Sequence, residues 1–113
     1  MRALEFKIYY QHEAGNITDR IIELGQPIPH MGDEWAVIAK CQFTGLHDIN
    51  GVKIFEGDIL YRENFSNWIV IWENGGFRFY NQWNITITYP LRTFGVLDRQ
   101  IIGNVYENPE LNK

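Results

Sequence analysis

The sequence lacks the features that mark secreted and membrane-spanning proteins. Cys41 is the only cysteine among 113 residues, so an internal disulfide is excluded, and we expect it to be a small core residue. No apolar stretch reaches the roughly 18 residues that a membrane span needs. The N-terminal MRALEFKIYYQ carries charges and has no apolar signal-peptide core, so a cytoplasmic protein is expected.

Basic residues are also scarce. Ten Lys and Arg stand against fourteen Asp and Glu, which gives a formal net charge of -4, and the basic residues form no cluster. Proteins that bind nucleic acids usually carry a basic patch, because neutralising phosphates supplies much of their affinity. Nucleic acid is therefore a less favoured partner, although folding could gather several basic side chains on one face.

Metal-ligating residues do not recur at the spacing of a metal site. His30, with Asp33 and Glu34 close behind it, is the nearest approach to a ligand set. Specific metal motifs repeat ligands at a fixed spacing on one element. No metal and no cofactor are therefore predicted.

Aromatic residues are abundant, at 15% of the chain. Together with many β-branched residues they favour strands. Apolar and polar residues alternate in several short segments separated by turn residues, which predicts seven or eight strands. We predict an all-β fold in one domain over residues 1–113, built as a small β-barrel of SH3-like or pseudo-barrel type.

The N-terminal third is the exception to this all-β reading. Thr18 and Asp19 are typical helix caps, and Gly25 is a typical residue after a helix, which predicts one short helix over Arg20 to Leu24. The prolines that follow predict an extended, exposed loop from Pro27 to Asp33. Short helical or irregular additions are therefore expected in this third of the chain.

Two turn motifs lie between the predicted strands. Asn50-Gly51 is a strong tight-turn signal. In Glu56-Gly57-Asp58 we expect a glycine with positive φ and a carboxylate that accepts backbone N–H groups. Paired carboxylates can also perform acid–base chemistry, but a structural turn is favoured because no base or metal ligand is evident nearby. An enzyme that uses Asp58, Glu56 or His47 is the third hypothesis, after an interaction module and a nucleic-acid-binding protein. No catalytic residue is predicted.

The clearest hairpin joins Trp68–Trp72 to Phe77–Tyr80 through a glycine-rich turn. Both faces of its first strand are apolar, which indicates burial on both sides or contact with a subunit or ligand. Small barrels also stack bases on exposed aromatics, here with Arg62 and Arg78 as the basic partners. The predicted interaction surface consists of five aromatic residues: Trp68, Trp72, Phe77, Phe79 and Trp83.

Three segments of the chain share a recognisable pattern. FTGLHDINGVKIFEGDIL runs from Phe43 to Leu60, an aromatic precedes a glycine-rich turn between Val70 and Phe77, and IIGNVYENPEL runs from Ile101 to Leu111. In this order they resemble the motifs of the YopX family, small proteins of phages and prophages. The N-terminal third departs from the family pattern, since it reads FKIYY over Phe6–Tyr10. The matching residues are mostly those that turns and cores require.

The resemblance implies an all-β, barrel-containing fold and self-assembly into oligomers, and it implies no reaction. The hypothesis is a single YopX-like domain over 1–113 that acts as a non-enzymatic interaction or self-assembly module in the cytoplasm of the bacterial host. Expected partners are copies of itself or a host or phage protein, with no membrane association. A small-barrel nucleic-acid-binding protein is the alternative.

Overall fold

A computed structural model describes residues 4–73, 75–81, 88–90 and 98–112. Over these residues the chain is all-β, with nine strands and one short 3-10 helix. The all-β prediction is confirmed. The backbone forms two compact units, 1–43 and 44–113, which are described in turn. Whether the two units make up one domain stays a prediction.

The N-terminal unit is a sheet centred on β1 (Glu5–His12). β1 pairs antiparallel with β2 (Ile17–Glu23) on one side and with the first part of β3 (Trp35–His47) on the other. Its buried cluster contains Ile8, Tyr10 and Ile22, and Phe6, Met31 and Trp35 pack against it. Alternating residues of β1 therefore supply one apolar face, as its sequence pattern predicts.

A β-bulge in β3 changes the predicted pattern of faces. Alternation predicts one face made of five residues: Trp35, Val37, Ala39, Cys41 and Phe43. In the structure, Tyr9 pairs with Ala39 and Tyr10 pairs with Val37, so Ile38 is an extra residue. Such an insertion sends the residues on its two sides to opposite faces. The single-face prediction is therefore wrong, whereas the burial of Cys41 is confirmed.

The predicted helix over Arg20–Leu24 is wrong. Residues Ile17–Glu23 form strand β2 instead, and seven residue pairs join it to β1. Three isoleucines in this stretch have a branched Cβ that suits a pleated strand. Pairing with β1 outweighs the helix-capping pattern, because local propensity is weak against tertiary contacts.

The C-terminal unit begins within β3 and contains six further strands. These are β4 (Lys53–Phe55), β5 (Asp58–Tyr61), β6 (Trp68–Glu73), β7 (Gly76–Asn81), β8 (Thr88–Pro90) and β9 (Gln100–Asn104), followed by a 3-10 helix over Pro109–Asn112. Strands β5 to β9 form one sheet in the order β8-β7-β6-β5-β9. β6 and β7 pair antiparallel in the register of a hairpin, which confirms that prediction.

The core of the C-terminal unit lies on one face of this sheet. Ile54, Leu60, Val70 and Phe79 are fully buried together. Side chains from β3, β6, β7 and β9 complete the cluster: Leu46, Trp68, Phe77 and Ile101. Strands of two sheets thus contribute to one core, while barrel closure itself stays a prediction.

Among the residues that the structure describes, no helix has both the length and the apolar character that crossing a membrane requires.

Candidate functional site

The turn between β3 and β4 is organised by Asp48, which is 1% exposed. Its Oδ1 accepts hydrogen bonds from the N–H groups of Asn50 and Val52, each at 2.9 Å. Its Oδ2 accepts a third, at 3.0 Å, from the N–H of Ile101 in β9. Gly51 has φ +81°, so the turn predicted at Asn50-Gly51 is present. Sequence reasoning missed Asp48, although an Asp two residues before Asn-Gly is a known turn signal.

The second predicted turn, Glu56-Gly57-Asp58, joins β4 to β5. Gly57 has φ +92°, and buried Asp58 accepts a hydrogen bond from the N–H of Phe55 at 2.8 Å through Oδ2. Gly57 in turn donates to the carbonyl of Val70 at 2.8 Å. Asp58 has the backbone role that the sequence predicts, and Glu56 is the carboxylate of this pair that lines a pocket.

The segment after β9 is fixed by Asn104. Its Oδ1 accepts from the N–H groups of Tyr106 at 3.0 Å and Glu107 at 2.9 Å. The side chain of Asn108 returns to the N–H of Asn104 at 3.2 Å. A Cβ on Gly103 would overlap the Asn108 Oδ1. The motif GNVYEN therefore encodes a hydrogen-bonded turn at a position where a side chain would not fit.

The turn at Asn104 and the turn at Gly57 meet beside the outer face of β6. We call the space between them the outer pocket, and its volume is about 390 Å³. Ile69 and Tyr80 pair across β6 and β7 and lie on the face opposite to the core residues. The lining consists of aliphatic residues, aromatic residues and the Glu56-Gly57 turn: Ile69, Val70, Ile71, Val105, Trp72, Tyr80, Tyr106, Glu56 and Gly57.

The ring of Tyr106 is held against Gly57. A Cβ on Gly57 would lie 2.9 Å from the Tyr106 Cε2, so only glycine allows this approach without displacing the ring. The N–H of Val105 donates to the carbonyl of Gly57 at 2.9 Å. Two family motifs that are distant in sequence thus build one side of the outer pocket together.

Glu56 is the only charged residue among the described residues that line the outer pocket. It is half-buried, and within the described part of the chain it has neither an ion pair nor a side-chain hydrogen bond. Arg78 lies opposite Ile71 in the β6–β7 register without belonging to the lining. The pocket therefore combines apolar and aromatic walls with one unpaired carboxylate.

The predicted interaction surface is divided by the structure. Trp68, Phe77 and Phe79 belong to the core cluster, and Phe79 is 0% exposed. Trp72 is 52% exposed, lines the outer pocket and contacts Phe77 edge-on, with 4.9 Å between ring centroids. Trp83 lies outside the described residues. A surface role can thus be argued for Trp72, whereas Phe79 serves the core.

A buried cation, Arg99, was not anticipated from the sequence. Its guanidinium lies 3.5 Å from the ring centroid of Trp68, and Nη1 donates to the carbonyl of Ser66 at 2.9 Å. The side chain is 2% exposed. Burial lowers the pKa of Arg99 from its usual value to about 10, with nearby Asp98 acting in the opposite direction. At neutral pH it remains charged and braces Trp68 within the core.

Of the two arginines named for nucleic-acid binding, Arg62 follows β5 and Arg78 lies in β7. Arg62 pairs with Asp98 and lies 4.6 Å from the ring centroid of Phe65. Arg78 lies opposite Ile71 in the register of β6 and β7. Since Asp98 offsets the charge of Arg62, no observation here favours phosphate binding.

The Pro27–Asp33 loop of the N-terminal unit is tied to its core. The Tyr10 hydroxyl donates to the carbonyl of Pro29 at 2.7 Å, and Met31 packs on the buried cluster. His30 and Asp33 approach to 3.7 Å at the surface. Among the described residues, no group of three or more His, Cys, Asp or Glu is placed to hold a metal ion.

A second pocket, of about 450 Å³, lies in the same unit. Its lining includes Glu13, Asp33, Glu34 and Trp35. The ring of His12 contacts Trp35 edge-on at 4.9 Å. Its acidic groups are exposed and water-screened, so the outer pocket is the stronger candidate site.

Comparisons with known proteins agree with the sequence motifs. The family model described as "YopX protein" matches residues 2–113, which confirms the resemblance inferred from the three segments. Among solved structures, the chain is similar to protein EF1440 from Enterococcus faecalis, with a TM-score of 0.56 and 21% identity over 97% of this chain and 98% of that one. That similarity concerns the fold. No curated protein matches the sequence significantly.

Proposed function

The chain belongs to the YopX family, and we propose that it is a non-enzymatic interaction module of phage or prophage origin. In this proposal it assembles with copies of itself through the outer pocket and the neighbouring Trp72. The module works in the cytoplasm of the bacterial host. A host or phage protein that carries a matching surface would use the same face.

The exposed Trp72 beside the outer pocket carries the proposal. A tryptophan is large and apolar, and residues of this type are enriched at the energetic centres of protein interfaces. Here Trp72 is 52% exposed, and the adjacent lining includes the rings of Tyr80 and Tyr106. A concave apolar site next to an exposed aromatic anchor is the pairing that interfaces use.

The chemistry of the lining supports binding rather than catalysis. Catalytic centres bring a nucleophile, a base or an acid within hydrogen-bond reach of one another. Among the described residues of the outer pocket, Glu56 is the sole charged group, and the hydroxyl groups belong to Tyr80 and Tyr106. An isolated carboxylate with aliphatic and aromatic neighbours is suited to recognition.

We further propose that the C-terminal unit is a small barrel and that both units form one domain. Support for the barrel is the shared core, to which Leu46 and Ile54 contribute from β3 and β4 and Leu60 and Val70 from the five-stranded sheet. Support for one domain is the family match, which spans both units.

Size-exclusion chromatography with light scattering tests the proposed assembly. The wild-type chain should show a mass above 13.3 kDa that rises with concentration, and Trp72→Ala should shift it toward the monomer. Phe65→Ala is the matched control, because Phe65 is 55% exposed and does not line the pocket. A wild-type monomer at millimolar concentration, or equal loss in both variants, would contradict assembly through this face.

A further inference from the structure

We infer that the outer pocket receives a lysine or arginine side chain presented by a protein partner. The inference rests on the proposed function in taking this pocket as the interaction face, and it goes further by naming the chemical group that enters. Three properties of the lining lead to it: an aliphatic part, two tyrosines and one carboxylate that has no cationic partner among the described residues.

The aliphatic part of the pocket suits the stem of a long side chain. Ile71 and Val105 are half-buried and Ile69 is 4% exposed, so Ile71 and Val105 offer most of the apolar contact surface. Lysine and arginine bury their methylene stems along such surfaces while the charged head stays near polar groups or water. The volume of about 390 Å³ lies at the small end of the roughly 300–1,000 Å³ typical of ligand pockets. One side chain is therefore a suitable occupant.

The aromatic part of the pocket favours a cation. Two tyrosines belong to the lining: Tyr80, which lies on the outer face of the sheet opposite Ile69, and Tyr106, whose ring lies against Gly57. The face of an aromatic ring carries partial negative charge and attracts ammonium and guanidinium groups. The position of Tyr106 is fixed by its contact with Gly57 and its N–H bond to Asn104, so this ring is pre-placed for a ligand.

The charge of the pocket also favours a lysine or arginine side chain. Glu56 is half-buried and has no cationic partner among the described residues, and none of the described residues that line the pocket is basic. A neutral apolar side chain would cover this carboxylate without satisfying it, which disfavours binding. An acidic side chain would meet a like charge. A cation would instead pair with Glu56, and the net charge of -4 attracts basic partners.

Four blocked tripeptides test the inference: Ac-Gly-Xaa-Gly-amide with Xaa lysine, arginine, norleucine or glutamate. Each is titrated to 20 mM into about 30 μM ¹⁵N-labelled protein and followed by NMR. We expect the lysine and arginine peptides to shift the amides of Gly57, Ile71 and Tyr106, and to bind at least fivefold more tightly than norleucine. The glutamate peptide should cause no shift. Doubling the salt concentration should weaken the cationic peptides and leave norleucine unchanged.

Two variants locate the effect. Glu56→Gln should weaken the cationic peptides by about fivefold, whereas Glu63→Gln, an exposed carboxylate away from the pocket, should change nothing. Equal binding of lysine and norleucine, no effect of Glu56→Gln, or no shift at 20 mM would each overturn the inference.

The peptide titration and the light-scattering experiment test the two proposals independently. If the chain is monomeric by light scattering and still binds the cationic peptides, the proposed assembly fails and the inferred ligand stands. If the chain assembles through Trp72 but ignores the cationic peptides, the interaction face stands and the inferred ligand is wrong.

Discussion

The two compact units fix their turns in different ways. In the N-terminal unit the side chains that accept turn N–H groups lie at the surface: His12 accepts from Ala14 at 3.0 Å, and Gln26 from Glu23 at 2.6 Å, both in exposed surroundings. In the C-terminal unit the accepting groups, Asp48, Asp58 and Asn104, are buried.

This difference predicts where the chain tolerates change. An exposed N–H that loses its side-chain acceptor can bond to water, so the net loss is small. The N–H groups that bond to the buried acceptors are partly or fully shielded from water, so losing the acceptor costs more of their desolvation penalty. The buried turns also place Gly57 and Tyr106 in the outer pocket, so stability and the candidate site depend on the same hydrogen bonds.

Asp48→Ala should have the largest effect. It removes the acceptor of three backbone N–H groups, those of Asn50, Val52 and Ile101, and we expect the free energy of unfolding to fall by about 4 kcal/mol. Urea unfolding followed by tryptophan fluorescence measures it. Asp33→Ala, in the exposed loop of the N-terminal unit, is the control and should be neutral. A loss under about 1 kcal/mol at Asp48 would contradict the claim that the buried turn acceptors of the C-terminal unit contribute more stability than the exposed ones.

Gly57→Ala and Gly25→Ala form a matched pair, because both glycines have φ +92°. A Cβ on Gly25 meets nothing within 4 Å, whereas one on Gly57 lies 2.9 Å from the Tyr106 ring. Backbone strain alone should cost about 1 kcal/mol at Gly25, and the displaced ring should raise the loss at Gly57 to about 2–3 kcal/mol. Thermal unfolding compares the two variants, and equal losses of stability would show that the Tyr106 ring moves aside at little cost.

Asp58→Asn tests whether Asp58 is a turn residue or an acid–base residue. The amide keeps an oxygen for the N–H of Phe55 but loses the charge of the acceptor, so unfolding should become easier by about 1 kcal/mol. Chemical denaturation gives the value. An unchanged stability would contradict the structural role assigned to this buried carboxylate.

Gln26→Ala should have the smallest effect. The N–H of Glu23 loses its bond to the Gln26 side chain at an exposed site, where water takes its place, so we expect a loss below about 0.5 kcal/mol. The same urea assay measures it. A loss as large as that at Asp48 would mean that exposed turns matter as much as buried ones.

The parts of the fold that sequence predicted well are those where local chemistry and tertiary pairing agree. The turn between β4 and β5 requires a positive φ, which Gly57 adopts, and an acceptor for a backbone N–H, which Asp58 supplies. The β6–β7 hairpin shows both apolar–polar alternation and a glycine-rich turn in its sequence. In β2 the two disagreed, because Thr18 and Asp19 fit a helix cap while the strand is stabilised by pairing with β1. No residue close to Ile38 in the sequence predicts the β-bulge there.

The candidate site was predicted only in part. Trp72 was named from its strand, yet alternation could not show that Phe79 is buried and Trp72 exposed. The outer pocket depends on the contact between Gly57 and Tyr106, residues that lie far apart along the chain. Periodicity reports which face a residue occupies within one strand. It does not report which distant turn covers that face.

The most direct test of the proposed interaction face is a dilution series by ¹H–¹⁵N NMR, from 1 mM to 20 μM protein. If the chain assembles through the outer pocket, concentration-dependent shifts should concentrate on the Trp72 indole and on the amides of Gly57, Ile71 and Tyr106. Spectra that do not change with concentration, or shifts confined to the N-terminal unit, would contradict the account.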